Sequence, residues 1–142
     1  MKVKIKRLHE TVKMPNYGHP GDVGLDLYNA SETTTIQPGE RHIFSCGFAL
    51  EFPEGYAAIV KDKSSVPKEY GLHTMAGVYD AGFRGEYNVM MVNLGNEPAT
   101  IEHAQKIAQL VILPVEHAEL ETVDELTDSS RGEGKFGSTG KF

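Results

Sequence analysis

Apolar and polar residues alternate over short stretches along most of this chain, which is the pattern of half-buried β-strands. Near the amino terminus, Val3 and Ile5 alternate with lysines and predict an edge strand protected by its charges. Many short strands without a long helical period predict an all-β sandwich, barrel or jelly roll. The other predicted strands, separated by turn residues, cover 23–28, 33–36, 42–50, 56–60, 87–92 and 107–113, with 119–123 as a last candidate.

One short helix is predicted within this pattern, over 64–70, where Ser64 or Ser65 could cap the first turn and Pro67 suits it. The 142 residues fit one domain, and we expect the β domain to span 1–126. The remaining segment, 127–142, has too few apolar residues to fold alone. We expect it to be a flexible glycine-rich tail unless something binds it.

Composition narrows the possible partners. A formal net charge of −6 argues against general nucleic-acid binding, which needs a basic face, but a local site could still bind a small anion. The amino terminus does not have the form of a signal peptide, and no run approaches the roughly 18 apolar residues of a membrane span, so no membrane partner is expected. The single cysteine, Cys46, excludes an intrachain disulfide and fits a reducing cytoplasm or nucleus. We expect its side chain to be a small buried apolar group.

Two glycine-rich stretches carry the candidate chemistry. The first, 77–86, joins three glycines to two aromatic residues and Asp80, which predicts a tight hairpin that presents main-chain groups and a carboxylate. Asp80 could orient and deprotonate a water, or it could be a turn aspartate that bonds its own backbone. The second, 131–140, combines cations, hydroxyls and backbone amides with Phe136. That run suits phosphates and a stacked base, and a plain linker is the alternative.

Three other positions leave two interpretations open. Asp26, an acid inside an apolar strand, is either a structural hydrogen-bond anchor or an acid near a metal-bound water. Lys63, Ser64 and Ser65 at the helix start either bind an anion or simply cap the helix. Gln109, the only polar side chain of its apolar run, bonds either the core or a ligand. The sequence contains no Cys/His pairing at metal-ligand spacing, no G-x-S-x-G motif, no Walker loop and no Rossmann fingerprint.

Taken in order, these segments resemble the five motifs of the homotrimeric dUTPase (dUTP diphosphatase) family, and the resemblance runs from about Lys2 to Gly140. Lysine stands at the usual arginines of two motifs, Lys63 and Lys106, and Phe83 stands where tyrosine is common. Lysine keeps the charge of arginine but loses its planar fork, so we expect altered phosphate affinity without loss of chemistry. The five segments are 23–27, 63–65, 77–86, 106–110 and 131–140, with Val23 at a usual alanine and Lys135 at a usual glycine.

The resemblance implies a jelly-roll or distorted-barrel homotrimer with active sites at subunit interfaces, over which the tails close. It implies that Asp80 is the general base for attack of water on the α-phosphorus of dUTP, giving dUMP and pyrophosphate. This reaction would limit uracil in DNA and supply dUMP for dTMP synthesis. Mg²⁺ would be bound mainly by the triphosphate and waters, with Asp26 contributing indirectly through water.

The resemblance also assigns parts of the substrate to parts of the chain. Main-chain groups of 74–79 would read uracil, and Phe83 would lie under the deoxyribose. Arg131 would contact the γ-phosphate, and Phe136 would stack on uracil. The implied substrate-binding residues are Lys63, Ser64, Ser65, Thr74, Gly77, Val78, Tyr79, Phe83, Asn88, Gln109, Arg131, Phe136, Gly137, Ser138 and Thr139.

Other functions compete with this one. The related dCTP deaminase places a catalytic glutamate ten residues beyond the hairpin aspartate, where this chain has Met90, which cannot act as an acid or base. A regulatory protein that binds a nucleotide without hydrolysing it would not need Asp80. A purely structural jelly roll would leave the ordered motifs unexplained.

Overall fold

Short antiparallel strands and one helix make up the folded part of the chain in the computed structural model, which describes residues 1–136 and 138–140. The all-β fold class predicted from the alternating pattern is confirmed. The strands are β1 Lys4–Arg7, β2 Leu25–Tyr28, β3 Thr34–Ile36, β4 Arg41–Ser45, β5 Phe48–Glu51, β6 Tyr56–Asp62, β7 Leu72–Met75, β8 Val78–Asp80, β9 Asn88–Asn93, β10 Ala99–Ile101 and β11 Lys106–Pro114. The helix, α1, covers Ser65–Tyr70.

The strands form a four-stranded sheet, a three-stranded sheet and two strand pairs. The four-stranded sheet has the order β2-β11-β6-β8, and the three-stranded sheet has the order β4-β9-β7. The pairs are β1 with β5 and β10 with β3. Strands β7 and β8 follow one another in the chain but belong to different sheets, so the short connection between them links the two sheets.

The core follows from the period-2 pattern of the strands. In β9, Val89, Met91 and Asn93 are buried, while the residues between them are more exposed. Alternation of this kind directs every second side chain to one face of a sheet. The largest fully buried side chains come from both sheets and the strand pairs, and they include Phe44, Phe48, Leu72, Tyr87, Ile101, Ile107 and Leu110.

Cys46 is part of this core and is only 1% exposed, which confirms the prediction of a buried apolar role. Burial, and then the nearby charge of Glu86, raises the pKa of the Cys46 thiol to about 12. A thiol held protonated in this way is a poor nucleophile, so Cys46 is chemically inert at neutral pH.

The chain passes from the three-stranded to the four-stranded sheet at Ala76 and Gly77. Both have positive φ, 57° and 98°, which is uncommon for alanine. A Cβ on Gly77 would lie 2.8 Å from Cβ of Val60, so glycine is required there by both conformation and space. Strained backbone of this kind clusters at functional sites, and the local structure must stabilise it.

Two strand predictions are wrong. The predicted strand 42–50 is two strands, because the chain turns at Gly47, which has a φ of 69° and donates its amide to Glu86 Oε1 at 2.9 Å. The predicted strand 119–123 is not a strand; the last strand in the described residues is β11, and 116–126 is exposed throughout. A strand needs a partner for its backbone groups, and this segment has none among the described residues. Strands β7, β8 and β10 were not predicted as strands; only a hairpin was expected over the segment that contains β8.

The predicted helix is confirmed at Ser65–Tyr70. It buries Val66 against the core and ends at Gly71, whose φ of 67° is typical of a helix C-terminus. No helix within the described residues is long and apolar enough to cross a membrane.

Candidate active site

A carboxylate between two lysines lies at one outer strand of the four-stranded sheet. Lys63 Nζ lies 2.7 Å from Asp26 Oδ1, and Lys106 Nζ lies 2.7 Å from Asp26 Oδ2. We call these three residues the lysine–carboxylate cluster. The two lysines are those that stand at usual arginine positions, and no pattern in the sequence indicated that one acid binds both.

Burial and pairing act in opposite directions on Asp26, whose side chain is 7% exposed. Burial alone raises the pKa of its carboxyl, but the hydrogen bonds and charges of Lys106 and Lys63 outweigh burial and hold that pKa below its usual range. The hydrogen bond to Asp26 in turn raises the pKa of Lys106. With all three groups ionised, the cluster carries a net charge of +1, which favours an anion beside it.

Gln109 on β11 lies beside this cluster. Its Cα pairs with Asp26 on one side and with Lys61 on the other. Its Nε2 donates to the carbonyl of Asp62 at 2.8 Å, while its Oε1 occupies the space that a Cβ on Gly24 would fill. The Gln109 amide nitrogen therefore already makes one hydrogen bond within the protein, and its Oε1 lies beside Gly24.

The start of α1 presents hydroxyl groups next to the same cluster. Ser64 precedes the helix, is exposed, and its side chain makes no capping hydrogen bond. The alternative of simple capping by Ser64 is therefore wrong. Ser65 is the first residue of the helix and is half-buried.

Asp80 is placed quite differently. It ends β8, the other outer strand of the four-stranded sheet, and its side chain is exposed. Within the described residues its carboxylate has no hydrogen-bond partner, so the alternative of an aspartate that bonds its own turn receives no support. Asp80 pairs with Ala57 whereas Asp26 is level with Lys61, which separates the two acids by about 14 Å along the strands and about 14 Å across them. One chain therefore does not bring Asp80 to the lysine–carboxylate cluster.

An aromatic group supports the loop that carries Asp80. The Tyr79 hydroxyl donates to the carbonyl of Asn88 at 2.8 Å and accepts the Asn88 amide at 3.1 Å, which closes the loop. Tyr79 stacks on the buried Tyr87 at a centroid distance of 4.1 Å, and Phe83 lies 5.4 Å from Tyr79. Phe83 is 38% exposed, so one part of its ring remains accessible. The resemblance assigned Tyr79 a role through its backbone only, and no sequence pattern pointed to its hydroxyl.

The segment assigned to the nucleobase is tied to β6. Thr74 donates its backbone amide to Asp62 Oδ1 at 2.7 Å, and Gly77 accepts the Val60 amide at 2.8 Å. The Thr74 amide is therefore already used and cannot donate to a base. Val78 on β8 is 68% exposed. Asp62 was not a candidate on sequence; an acid directly before Lys63 was the available signal.

The tail forms local turns away from the core. Arg131 Nε donates to the carbonyl of Gly134 at 3.1 Å, and Phe136 is fully exposed. Ser138 donates its amide to the carbonyl of Lys135, while Gly137 lies outside the described residues. The exposed ring of Phe136 has no role in the core. Within the described residues, no group of three His, Cys, Asp or Glu side chains could hold a metal ion.

Comparison with known proteins gives one family. A family model described as dUTPase matches residues 10–140 of the chain. The deoxyuridine 5'-triphosphate nucleotidohydrolase of Thermobifida fusca is 44% identical over 145 residues, which cover 99% of this chain and 79% of that protein. The enzyme of the same name from Clostridium kluyveri is 39% identical over 142 residues, covering 99% of both.

Solved structures with the same fold include two phage proteins. Staphylococcus bacteriophage 80alpha dUTPase with dUPNHPP matches with a TM-score of 0.91 and 29% identity over 98% of each chain. A mutant dUTPase from phage phi11 of S. aureus matches with a TM-score of 0.83 and 25% identity, covering 90% of this chain and 100% of that one. The description of the phi11 structure refers to the coordination of a structural Mg(II) ion.

Proposed function

The chain belongs to the dUTPase family and is a dUTP diphosphatase, and we propose that it hydrolyses dUTP to dUMP and pyrophosphate through attack of water on the α-phosphorus. The water oxygen forms the new bond to phosphorus, and the bond from phosphorus to the α,β-bridging oxygen breaks. Pyrophosphate leaves with that electron pair. Removal of dUTP by this reaction would limit uracil in DNA, and the dUMP formed would supply dTMP synthesis.

Asp80 is the general base in this proposal. Its exposed carboxylate, which has no hydrogen-bond partner among the described residues, supports it, because a base must reach a water and have an oxygen able to accept its proton. The proton leaves the attacking water for Asp80 as the oxygen–phosphorus bond forms. Phosphoryl transfer needs mostly positioning and charge stabilisation, so one aligned carboxylate with a set of cations is sufficient machinery.

The lysine–carboxylate cluster is the proposed phosphate site. Its net positive charge supports this role, as do the Ser64 hydroxyl, which makes no capping hydrogen bond, the neighbouring Ser65 and the amide of Gln109. Lys63 would contact phosphate directly, because its side chain is one-third exposed and its ammonium can donate to a second acceptor. In the tail, Arg131, Ser138 and Thr139 would contact the outer phosphates, together with Gly137.

Mg²⁺ fits this site only indirectly. Each oxygen of Asp26 already accepts a lysine hydrogen bond, and no group of three ligating side chains exists among the described residues. Magnesium ions are usually held by phosphates, waters and one or two carboxylates, so Asp26 would contact the hydrated ion through water. When bound, the ion would neutralise charge on the triphosphate.

The nucleoside would be recognised by the other outer strand and the tail. The backbone groups of 74–79, including those of Gly77, Val78 and Tyr79, would bind uracil. The Thr74 amide is the exception, because it already donates to Asp62. Phe83 would lie under the deoxyribose and disfavour a 2′-hydroxyl, with Asn88 at the closed end of the loop. The exposed Phe136 ring would stack on the base when the tail closes and excludes water.

A homotrimer with sites between subunits completes the proposal. The observation that carries it is the separation of Asp80 from the lysine–carboxylate cluster on opposite outer strands of one sheet. If one substrate must reach both, they must come from different subunits. At a dUTP concentration below KM, mixed oligomers of Asp80→Asn and Lys63→Ala chains should then hydrolyse dUTP faster than either variant alone. Mixed oligomers without restored activity would place both groups in one subunit and contradict the shared site.

The first experiment is an assay of product release from dUTP, dCTP, dTTP and UTP with Mg²⁺, measuring pyrophosphate and ammonia in parallel. Pyrophosphate from dUTP alone is the expected result. Ammonia from dCTP would favour the deaminase instead, despite Met90. Binding of dUTP with neither product would favour a regulatory protein.

A further inference from the structure

We propose that Asp62 is a positioning residue. It fixes the segment proposed to read uracil, 74–79, in its place relative to the phosphate site. The proposal rests on the proposed function, because it assigns the role of Asp62 to recognition of the nucleotide. Asp62 is the last residue of β6 and directly precedes Lys63. It belongs to none of the five motif segments.

Asp62 contacts two of the candidate substrate-binding segments through three different oxygens. Its Oδ1 accepts the backbone amide of Thr74 at 2.7 Å, and its Oδ2 lies 2.6 Å from Nδ1 of His73. Its backbone carbonyl accepts Nε2 of Gln109 at 2.8 Å. Together with its covalent bond to Lys63, these contacts join the phosphate-binding residues to the segment that reads the base.

The sheet topology explains why such a connection is needed. Strand β7 pairs with β9 in the three-stranded sheet, whereas β6 belongs to the four-stranded sheet. Near the crossing, three contacts tie the β7–β8 segment (72–80) to β6: Val60 N–H to the Gly77 carbonyl, Thr74 N–H to Asp62 Oδ1, and His73 Nδ1 with Asp62 Oδ2. The last two depend on the Asp62 side chain, so a point substitution can remove them.

The carboxylate is suited to this task. Burial raises the pKa of Asp62, but the hydrogen bonds from Thr74 and His73 outweigh burial and hold the pKa below its usual range. The group therefore remains an ionised acceptor, and hydrogen bonds to ionised acceptors are stronger than neutral ones. The His73 contact is different, because the His73 side chain is largely exposed. Its loss would leave the hydrogen bond from the Thr74 amide to Asp62 in place.

The test compares Asp62→Ala with Asp62→Asn, which keeps an oxygen able to accept the Thr74 amide. Binding of dUMP, as the base-containing probe, and of inorganic tripolyphosphate, as the phosphate probe, is measured with Mg²⁺. We expect Asp62→Ala to weaken dUMP binding by about tenfold, as loss of a charge-assisted hydrogen bond would, with tripolyphosphate binding changed less than about twofold. Asp62→Asn should recover most of the dUMP affinity. His73→Ala is the matched control, and it should bind both probes like the wild type.

Three results would overturn the inference: dUMP binding by Asp62→Ala within about twofold of wild type, equal losses for both probes, or no recovery in Asp62→Asn. If Asp62→Ala fails to fold, Asp62→Asn is the deciding variant. Near-normal dUMP binding by Asp62→Asn would support the hydrogen bond to the Thr74 amide as the cause, whereas a loss would show that the charge of Asp62 itself is needed. Failure of the proposed function is separate, since it would appear as wild-type protein that releases no pyrophosphate from dUTP.

Discussion

The two outer strands of the four-stranded sheet carry functional carboxylates that differ in burial and in pairing. On β2, Asp26 is buried and both of its oxygens are paired with lysines. On β8, Asp80 is exposed and its carboxylate has no hydrogen-bond partner within the part of the chain that the structure describes, and Phe136 of the tail is fully exposed. Under the proposed function, the phosphate site is already assembled within one chain, whereas Asp80 and the nucleoside-binding groups would reach the same substrate from a neighbouring chain.

The sharpest test of this contrast removes the base alone. We expect Asp80→Asn to lower kcat by about 10²- to 10⁴-fold, the usual contribution of general base catalysis, while dUTP binding persists because the cluster is intact. Pyrophosphate release and calorimetric binding measure the two effects. Asp124→Asn removes another exposed carboxylate and should behave like wild type. A loss below tenfold in Asp80→Asn would contradict its role as the base.

The tail offers the next largest effect. Phe136→Ala should raise KM for dUTP by roughly 5- to 150-fold, because stacking of a base on an aromatic ring contributes about 1–3 kcal/mol. The free energy of unfolding should not change, since the Phe136 ring is fully exposed. Leu94→Ala removes another exposed apolar side chain and serves as the control. An unchanged KM would leave the tail as a plain linker.

A smaller effect is expected within the cluster. Lys63→Arg should lower KM for dUTP by about threefold, because the planar guanidinium can bond a carboxylate and a phosphate with separate N–H groups. The chemistry does not depend on Lys63, so kcat should stay the same. Lys61→Arg makes the same change on an exposed side chain of β6. Equal KM values for Lys63→Arg and wild type would count against a phosphate role for Lys63.

The smallest expected effect is on stability. The folded-state pKa of Asp26 is lowered from an ordinary value of 3.8, because the two lysines outweigh burial. Its stabilising effect is therefore fully present above pH 4, roughly, and is lost as the pH falls through the lowered pKa. Urea unfolding of wild type and Asp26→Asn should differ most at pH 7 and converge in acid. A difference that does not change with pH would show that pairing of the charge contributes nothing.

Much of the fold was predictable because it depends on local pattern. The alternation of β9 and the long apolar run of β11 predicted both strands. The break at Gly47 was not predictable, because it depends on Glu86, a distant residue that accepts the Gly47 amide. The segment 119–123 has strand-like residues, but a strand also requires a partner, which local sequence does not specify.

The site was predictable in its members but not in its geometry. Motif resemblance identified Asp26, Lys63 and Gln109, yet their convergence depends on the register of β2, β11 and β6. The same register brings Lys106 and Lys63 to the two oxygens of the Asp26 carboxylate. Asp62 escaped notice because its partner Thr74 lies in a different sheet, and no sequence pattern reports such a contact.

The contact of Gln109 with Gly24 has a consequence for how this sequence can evolve. Any side chain at position 24 would need the space that Gln109 Oε1 occupies, while Gln109 is held in place by its bond to the Asp62 carbonyl. Substitution at position 24 alone should be selected against, and a smaller residue at 109 would have to appear first. That first step would itself remove the hydrogen bond from Gln109 to the Asp62 carbonyl. Related sequences should therefore differ at both positions, 24 and 109, or at neither.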